Sequence, residues 1–110
     1  MSAKRLSTYK LVEGAASIGA DVDYDIVNMQ NSQVKEIQAQ WTETTVSATI
    51  AVQFSFDGTI WTDLETPTAV SGNTEKTWTV GRHVPFLRVE VDWTSGSITT
   101  LDVFVTSLPY

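Results

Sequence analysis

The sequence predicts an all-β fold, an antiparallel β-sandwich of about eight strands with jelly-roll character, in one domain spanning 1–110. The first observation is composition, because 16 Thr and 13 Val occur among 110 residues and β-branched side chains favour strands over helices. The second is strict alternation of apolar and polar residues in several segments. The third is the regular spacing of glycine-containing breaks between those segments.

Four segments alternate clearly enough to predict strands on their own. Each contains a run in which apolar and polar residues alternate, which places the apolar side chains of that run on one face. These segments are 34–41, 46–54, 86–93 and 98–108. Weaker alternation predicts strands at 7–12, 22–27, 60–63 and 76–80. Trp41 and Trp93 fall on the apolar faces of their strands and are assigned to the core.

Glycine-containing breaks separate these segments. Asp57-Gly58 lies between two of them and is a strong signal for a short hairpin, so both residues are assigned to a turn. Residues 93–98, with Gly96 at their centre, are expected to form a hairpin loop joining the last two strands. Residues 14–19, with a glycine at each end, are expected to form a loop.

Composition excludes several classes of function. With 7 Lys and Arg against 13 Asp and Glu, the net charge of −6 argues against nucleic-acid binding. The absence of Cys excludes disulfides, thiolate catalysis and Cys-ligated metals, and a lone His83 excludes the usual His-rich catalytic metal sites. No apolar run is long enough to span a membrane, and Met1 to Arg5 lack the apolar segment of a secretory signal peptide.

No catalytic constellation is visible, so neither an enzymatic activity nor a cofactor is expected. His83 has no orienting carboxylate or nucleophile in its sequence neighbourhood, and a loop or interface role is favoured. Asp21, Asp23 and Asp25 alternate and therefore share a strand face. Calcium requires six to eight oxygen ligands, so a solvated strand face is favoured there and metal binding is left open.

Aromatic side chains are the candidates for an interface or ligand site. Trp78 lies between two threonines and is expected at the surface, whereas the position of Trp61 is ambiguous. A further group of aromatic residues lies opposite the apolar face of its strand or at the chain end, where it is suited to anchoring a protein partner or stacking on a sugar. This group is Phe56, Phe86, Phe104 and Tyr110.

One stretch resembles known modules. Residues 52–64 contain Ser55-x-Asp57-Gly58-x-x-Trp61 followed by Thr-Asp-Leu, and residues 86–91 add an aromatic-x-Arg-hydrophobic strand. This pattern resembles discoidin-type (coagulation factor 5/8 C-terminal-like) domains and small β-rich proteins of tailed-phage virions. The resemblance implies a discoidin-like sandwich as the alternative to a jelly roll. The chain is shorter than discoidin domains and lacks their terminal cysteine pair.

The resemblance implies a non-catalytic structural protein of a bacteriophage virion, made in the host bacterial cytoplasm. The most specific expectation is a capsid decoration or cement protein that forms a homo-oligomer and binds the major capsid protein. A neck, tail or fibre-associated component is the near alternative. A carbohydrate-binding module for host-surface glycans is the alternative of another class, and it requires exposed aromatic and polar side chains on one face.

Overall fold

The structure is a computed structural model that describes residues 7–26, 32–81 and 84–109. All regular secondary structure in these ranges is β-strand, and every strand pairing is antiparallel, so the predicted all-β antiparallel class is confirmed. The strands are β1 (Ser7–Ile18), β2 (Val22–Ile26), β3 (Ser32–Ser55), β4 (Thr62–Asp63), β5 (Thr68–Ala69), β6 (Glu75–Thr79) and β7 (Phe86–Pro109). In the described ranges, no helix is long and apolar enough to cross a bilayer.

β3 and β7 form the centre of the sheet. Each is 24 residues long, and they pair along their whole length, from Ser32 opposite Pro109 to Ser55 opposite Phe86. All other described strands pair with one of these two. A straight strand of this length would extend about 80 Å, at about 3.3 Å per residue. The longest dimension of the molecule is 51 Å, so the paired strands must bend.

The bend lies where the pairing of β3 and β7 changes register. Three register shifts fall between Thr42 and Ala48, and Gly96 lies opposite Val46 with a positive φ of 76°. Extra residues on one strand of a pair kink it and increase its twist. A Cβ on Gly96 would collide with the carbonyl oxygen of Thr45 and lie 2.8 Å from the Cα of Val46. Only glycine therefore allows the two backbones to approach this closely.

The bend divides the sheet into two half-sheets that share β3 and β7. The first half-sheet has the order β1–β7–β3–β6 and contains residues 32–43 of β3. The second half-sheet contains β2, residues 86–93 of β7, residues 46–55 of β3, and the short β4 and β5. The inward side chains of both half-sheets form a single apolar cluster. The sheet thus curls around one core in a sandwich-like arrangement.

Alternation places the core as expected for the four main segments. Ile50, Val52, Val89 and Val103 are among the fully buried side chains, and Trp41 is buried as predicted. The Trp41 indole Nε1 donates to the Val70 carbonyl oxygen at 3.1 Å, and its backbone N–H donates to Thr74. These two bonds fix the segment between β5 and β6 against β3.

Several sequence-based boundaries are wrong. Segments 34–41 and 46–54 are one strand, and so are 86–93 and 98–108, so the hairpin loop expected at 93–98 is instead the bend in β7. The loop expected at 14–19 is the end of β1, where Gly14 and Ser17 take positive φ values of 61° and 55° and the register shifts. Glycine breaks mark bulges in continuous strands as readily as turns between strands.

Gly96→Ala tests the bend. We expect it to lower the free energy of unfolding by at least about 1 kcal/mol more than Gly72→Ala, since both require a positive φ but only Gly96 faces backbone atoms. Gly72 has a φ of 85° and open space around its Cβ position. Urea unfolding measures both variants, and equal losses would contradict the close-approach argument.

Two buried tryptophans provide a matched pair. Trp78 is fully buried, and its Nε1 has no hydrogen-bond partner among the described residues, whereas the Trp41 indole is bonded. We expect Trp41→Phe to cost about 1 kcal/mol more than Trp78→Phe, because only the first change removes a hydrogen bond. Urea unfolding is again the measurement, and a larger loss for Trp78→Phe would refute this reasoning.

Candidate functional site

The Asp57-Gly58 segment is a tight, internally bonded turn at one end of the molecule. Asp57 Oδ1 accepts hydrogen bonds from the backbone N–H groups of Thr59 and Ile60 at 2.8 and 2.9 Å, and from the Ser55 hydroxyl at 2.9 Å. The Ser55 Oγ accepts in turn from the Gly58 N–H at 2.8 Å. These donors favour the carboxylate and hold the pKa of Asp57 below its ordinary value. The turn is therefore well ordered while its carboxylate is ionised.

This turn exposes large apolar side chains. Phe56 is 70% exposed and Ile60 is 72% exposed, and Phe86, which begins β7 beside them, is 43% exposed. The Phe86 ring lies 3.5 Å from the Cβ position of Gly58, which has a φ of 79°. We name Phe56, Ile60 and Phe86 the end patch. Sequence reasoning identified both phenylalanines but missed Ile60, which it assigned to a strand beginning at 60.

Arg88 is fully engaged beside the end patch. Its guanidinium carbon lies 4.1 Å from the centroid of the Trp61 ring, and its Nε donates to Gln53 at 2.8 Å. Asp23 and Glu90 lie 3.5 and 3.6 Å from its terminal nitrogens. Burial, followed by the nearby Asp23 carboxylate, raises the pKa of Glu90. This cluster fixes Trp61 and covers one of its faces, so Trp61 is a structural contact of Arg88 more than an open stacking platform.

The structure corrects two other tryptophan assignments. Trp78 was expected at the surface and is 0% exposed, because β6 places Trp78 inward and Thr77 and Thr79 outward. Trp78 is therefore not an accessible interface or ligand residue. Trp93 was assigned to the core but is only half-buried, and its Nε1 donates to the Gly96 carbonyl at 2.7 Å, within the bend. His83 and Tyr110 lie outside the described residues.

The carboxylates of Asp21 and Asp23 contact other protein groups in this fold. Asp21 accepts the Trp93 backbone N–H at 2.7 Å, and Asp23 pairs with Arg88. Asp25 lies opposite Arg88 in the β2–β7 ladder. In the described ranges, no group of three or more His, Asp or Glu side chains is placed to hold one metal ion.

Phe104 lies on the outward face of the first half-sheet, in a shallow depression of about 320 Å³. We name this depression the polar groove. Its lining is Thr8, Glu36, Gln38, Gln40, Thr77, Phe104 and Thr106. A second depression of about 340 Å³ shares Gln40 and continues past Thr42 and Thr100. Of these residues, sequence reasoning singled out only Phe104, because isolated polar residues on an alternating strand look like ordinary solvated positions.

Comparisons with known proteins show the fold. No family model and no curated protein matches the chain. Among solved structures, the chain is similar to a protein of the Bacillus endospore appendages, described as disulfide-linked pili, with a TM-score of 0.59 at 16% identity over 98% of this chain and 91% of that one. It is also similar to the Yersinia pseudotuberculosis-derived mitogen, with a TM-score of 0.54 at 11% identity over 98% of this chain and 88% of that one.

The turn makes a testable prediction about pH. The lowered pKa of Asp57 means that its ionised form stabilises the fold above its ordinary pKa, and that this contribution is lost as the pH falls through the folded-state pKa. Asp57→Asn keeps the acceptor oxygen but not the charge. We expect the urea midpoint of the wild type to fall more steeply than that of Asp57→Asn between about pH 5 and about pH 3. Parallel pH profiles would contradict this role for Asp57.

Proposed function

We propose that this protein is a non-catalytic structural subunit of a tailed-phage virion that acts by assembly. Its specific role would be a capsid decoration or cement protein, with a neck, tail or fibre-associated position as the alternative. It would associate with itself and with other virion subunits, and its location would be the virion. The observation that carries the proposal is the end patch.

The end patch has the properties of a protein contact. Of the four large apolar side chains that are well exposed in the described residues, three lie in it. Clustered exposed apolar side chains mark interaction sites, and aromatic anchors supply much of the binding energy at protein interfaces. The internally bonded turn holds Phe56 and Ile60 in place before any partner arrives, which reduces the entropy lost on binding.

The surroundings of the end patch are acidic. Asp57 lies between Phe56 and Ile60 in the turn, Asp63 accepts a hydrogen bond from Gln53, and Asp23 and Glu90 both pair with the single cation of Arg88. A partner with a basic rim would therefore complement this end of the molecule. Contact between two end patches would bring like charges together, so self-association through them should strengthen as salt screens the repulsion.

One of the similar solved structures supports a structural role. The likeness to an appendage protein shows that this fold can serve a pilus subunit, and the low identity restricts that inference to the fold. The present chain has no Cys, so its own assembly could not be disulfide-linked. The virion assignment itself draws on the resemblance of residues 52–64 to small β-rich virion proteins.

Light scattering on a size-exclusion column tests the proposal. We expect the wild-type chain to run as an oligomer whose mass increases with salt, and Phe56→Ser with Ile60→Ser to shift it toward the monomer because the apolar contact is lost. Tyr9→Ser is the matched control, since Tyr9 is 39% exposed but belongs to β1 in the other half-sheet. Circular dichroism verifies that each variant is folded.

Two results would overturn self-association through the end patch. The first is a wild-type monomer at all salt and protein concentrations. The second is an oligomer that the double variant leaves intact while Tyr9→Ser disrupts it.

A further inference from the structure

The outward face of the first half-sheet presents an ordered polar array. The ladders place Lys10, Phe104, Gln38 and Thr77 side by side in one row across the four strands. The neighbouring row contains Thr8, Thr106, Glu36 and Thr79. From Glu36 to Thr42 the array follows β3 for about 20 Å, at about 3.3 Å per residue. It is therefore a long surface on rigid strands, suited to an extended ligand.

Hydrogen bonds within the array orient its polar groups. Gln40 Nε2 donates to Gln38 Oε1 at 3.1 Å, which leaves the Gln38 amide nitrogen as a donor and the Gln40 amide oxygen as an acceptor. Paired threonine hydroxyls lie at the two ends, Thr8 with Thr106 at 3.2 Å and Thr42 with Thr100 at 2.6 Å. Amides and hydroxyls that both donate and accept match the hydroxyl groups of a sugar chain.

Phe104 supplies the apolar part of the polar groove. Its ring lines the groove directly opposite Gln38, while the Lys10 ammonium lies 5.3 Å from the ring centroid on the neighbouring strand. The C–H faces of sugar rings pack on aromatic side chains while their hydroxyls bond to neighbouring polar groups. One aromatic ring among amides and hydroxyls is the arrangement that such a ligand requires.

The charges and the small apolar area of the two depressions indicate which class of ligand they could bind. Glu36, Glu75 and Asp102 line the two depressions, and of these the structure pairs Asp102 with Lys10, at 3.9 Å. This excess of carboxylates disfavours anionic chains such as nucleic acids or uronic-acid polymers. Phe104 is the one large apolar side chain in the polar groove, so the face lacks the desolvated apolar centre of a protein interface.

We infer that the polar groove is a binding site for a neutral oligosaccharide chain, with Phe104 as the apolar contact and Gln38 and Gln40 as the hydrogen-bonding pair. This inference goes beyond the proposed assembly function and is independent of the end patch, which lies at the far end of β3. A particle subunit carrying both surfaces could attach to its assembly at one end and to a glycan along the first half-sheet.

Calorimetric titration with defined sugars tests the inference. The probes are linear hexasaccharides of glucose, mannose, xylose and N-acetylglucosamine, with an oligogalacturonate as the acidic counterpart. We expect at least one neutral hexasaccharide to bind with a dissociation constant between about 10 µM and about 1 mM, more tightly than its disaccharide, and the oligogalacturonate to bind at least about tenfold more weakly.

Variants locate the site. Gln38→Ala and Phe104→Leu should each weaken binding about tenfold or more, since one removes an amide and the other removes the ring while keeping an apolar side chain. Thr49→Ala is the matched control, because Thr49 lines a depression on the second half-sheet that has no amide and no aromatic side chain. The urea midpoint of each variant verifies that its fold is retained.

Four outcomes would overturn the inference. They are no binding of any neutral hexasaccharide at about 10 mM, binding that Gln38→Ala and Phe104→Leu leave unchanged, equal affinity for the acidic chain, or a lower oligomer mass in the Phe104→Leu variant. The last result would identify the polar groove as a contact between protein subunits. A wild-type chain that stays monomeric but binds a neutral hexasaccharide would overturn self-association through the end patch and leave the sugar site standing, so the two proposals fail separately.

Discussion

The pairing of two 24-residue strands is the constraint on which the rest of this structure depends. β3 and β7 together supply most of the core, and each other described strand is an edge strand attached to one of them. Such a pair cannot stay straight, because a flat two-stranded ribbon would leave its apolar face in water. The bend at Gly96 brings the two half-sheets around a single apolar cluster and so gives both long strands a buried face.

The same period of two produces both the core and the polar groove. Along β3, Ile37, Ala39 and Trp41 point inward, so Gln38 and Gln40 must point outward. The bulge between Val34 and Glu36 adjusts the phase, since without it Val34 and Ile37 would lie on opposite faces. The outward position of Phe104, which is half-buried, follows from the same rule, because its neighbours Val103 and Val105 are fully buried.

The alternation of apolar and polar residues made much of this fold predictable. The predictions that were wrong have physical causes. Glycine occurs in turns, where φ is positive, and also in bent strands, where two backbones approach closely. The sequence does not distinguish these two uses, so Gly96 predicted a loop at a position where β7 continues. Trp78 was misplaced because its threonine neighbours suggested a polar strand. Strict alternation with the buried Val80 would have placed it inward. The end patch was foreseen only in part, because exposure of Ile60 depends on the turn geometry that Asp57 imposes.

The end patch and the polar groove are far apart along the paired strands β3 and β7. The end patch lies where β3 ends and β7 begins, whereas the polar groove lies beyond the bend on the first half-sheet. No described side chain belongs to both surfaces, so a partner at one does not cover the other. They are also different chemically, since one is apolar with an acidic surround and the other is built from amides, hydroxyls and one ring. Separation along the paired strands would therefore let the proposed protein partner and the proposed sugar chain be bound at the same time.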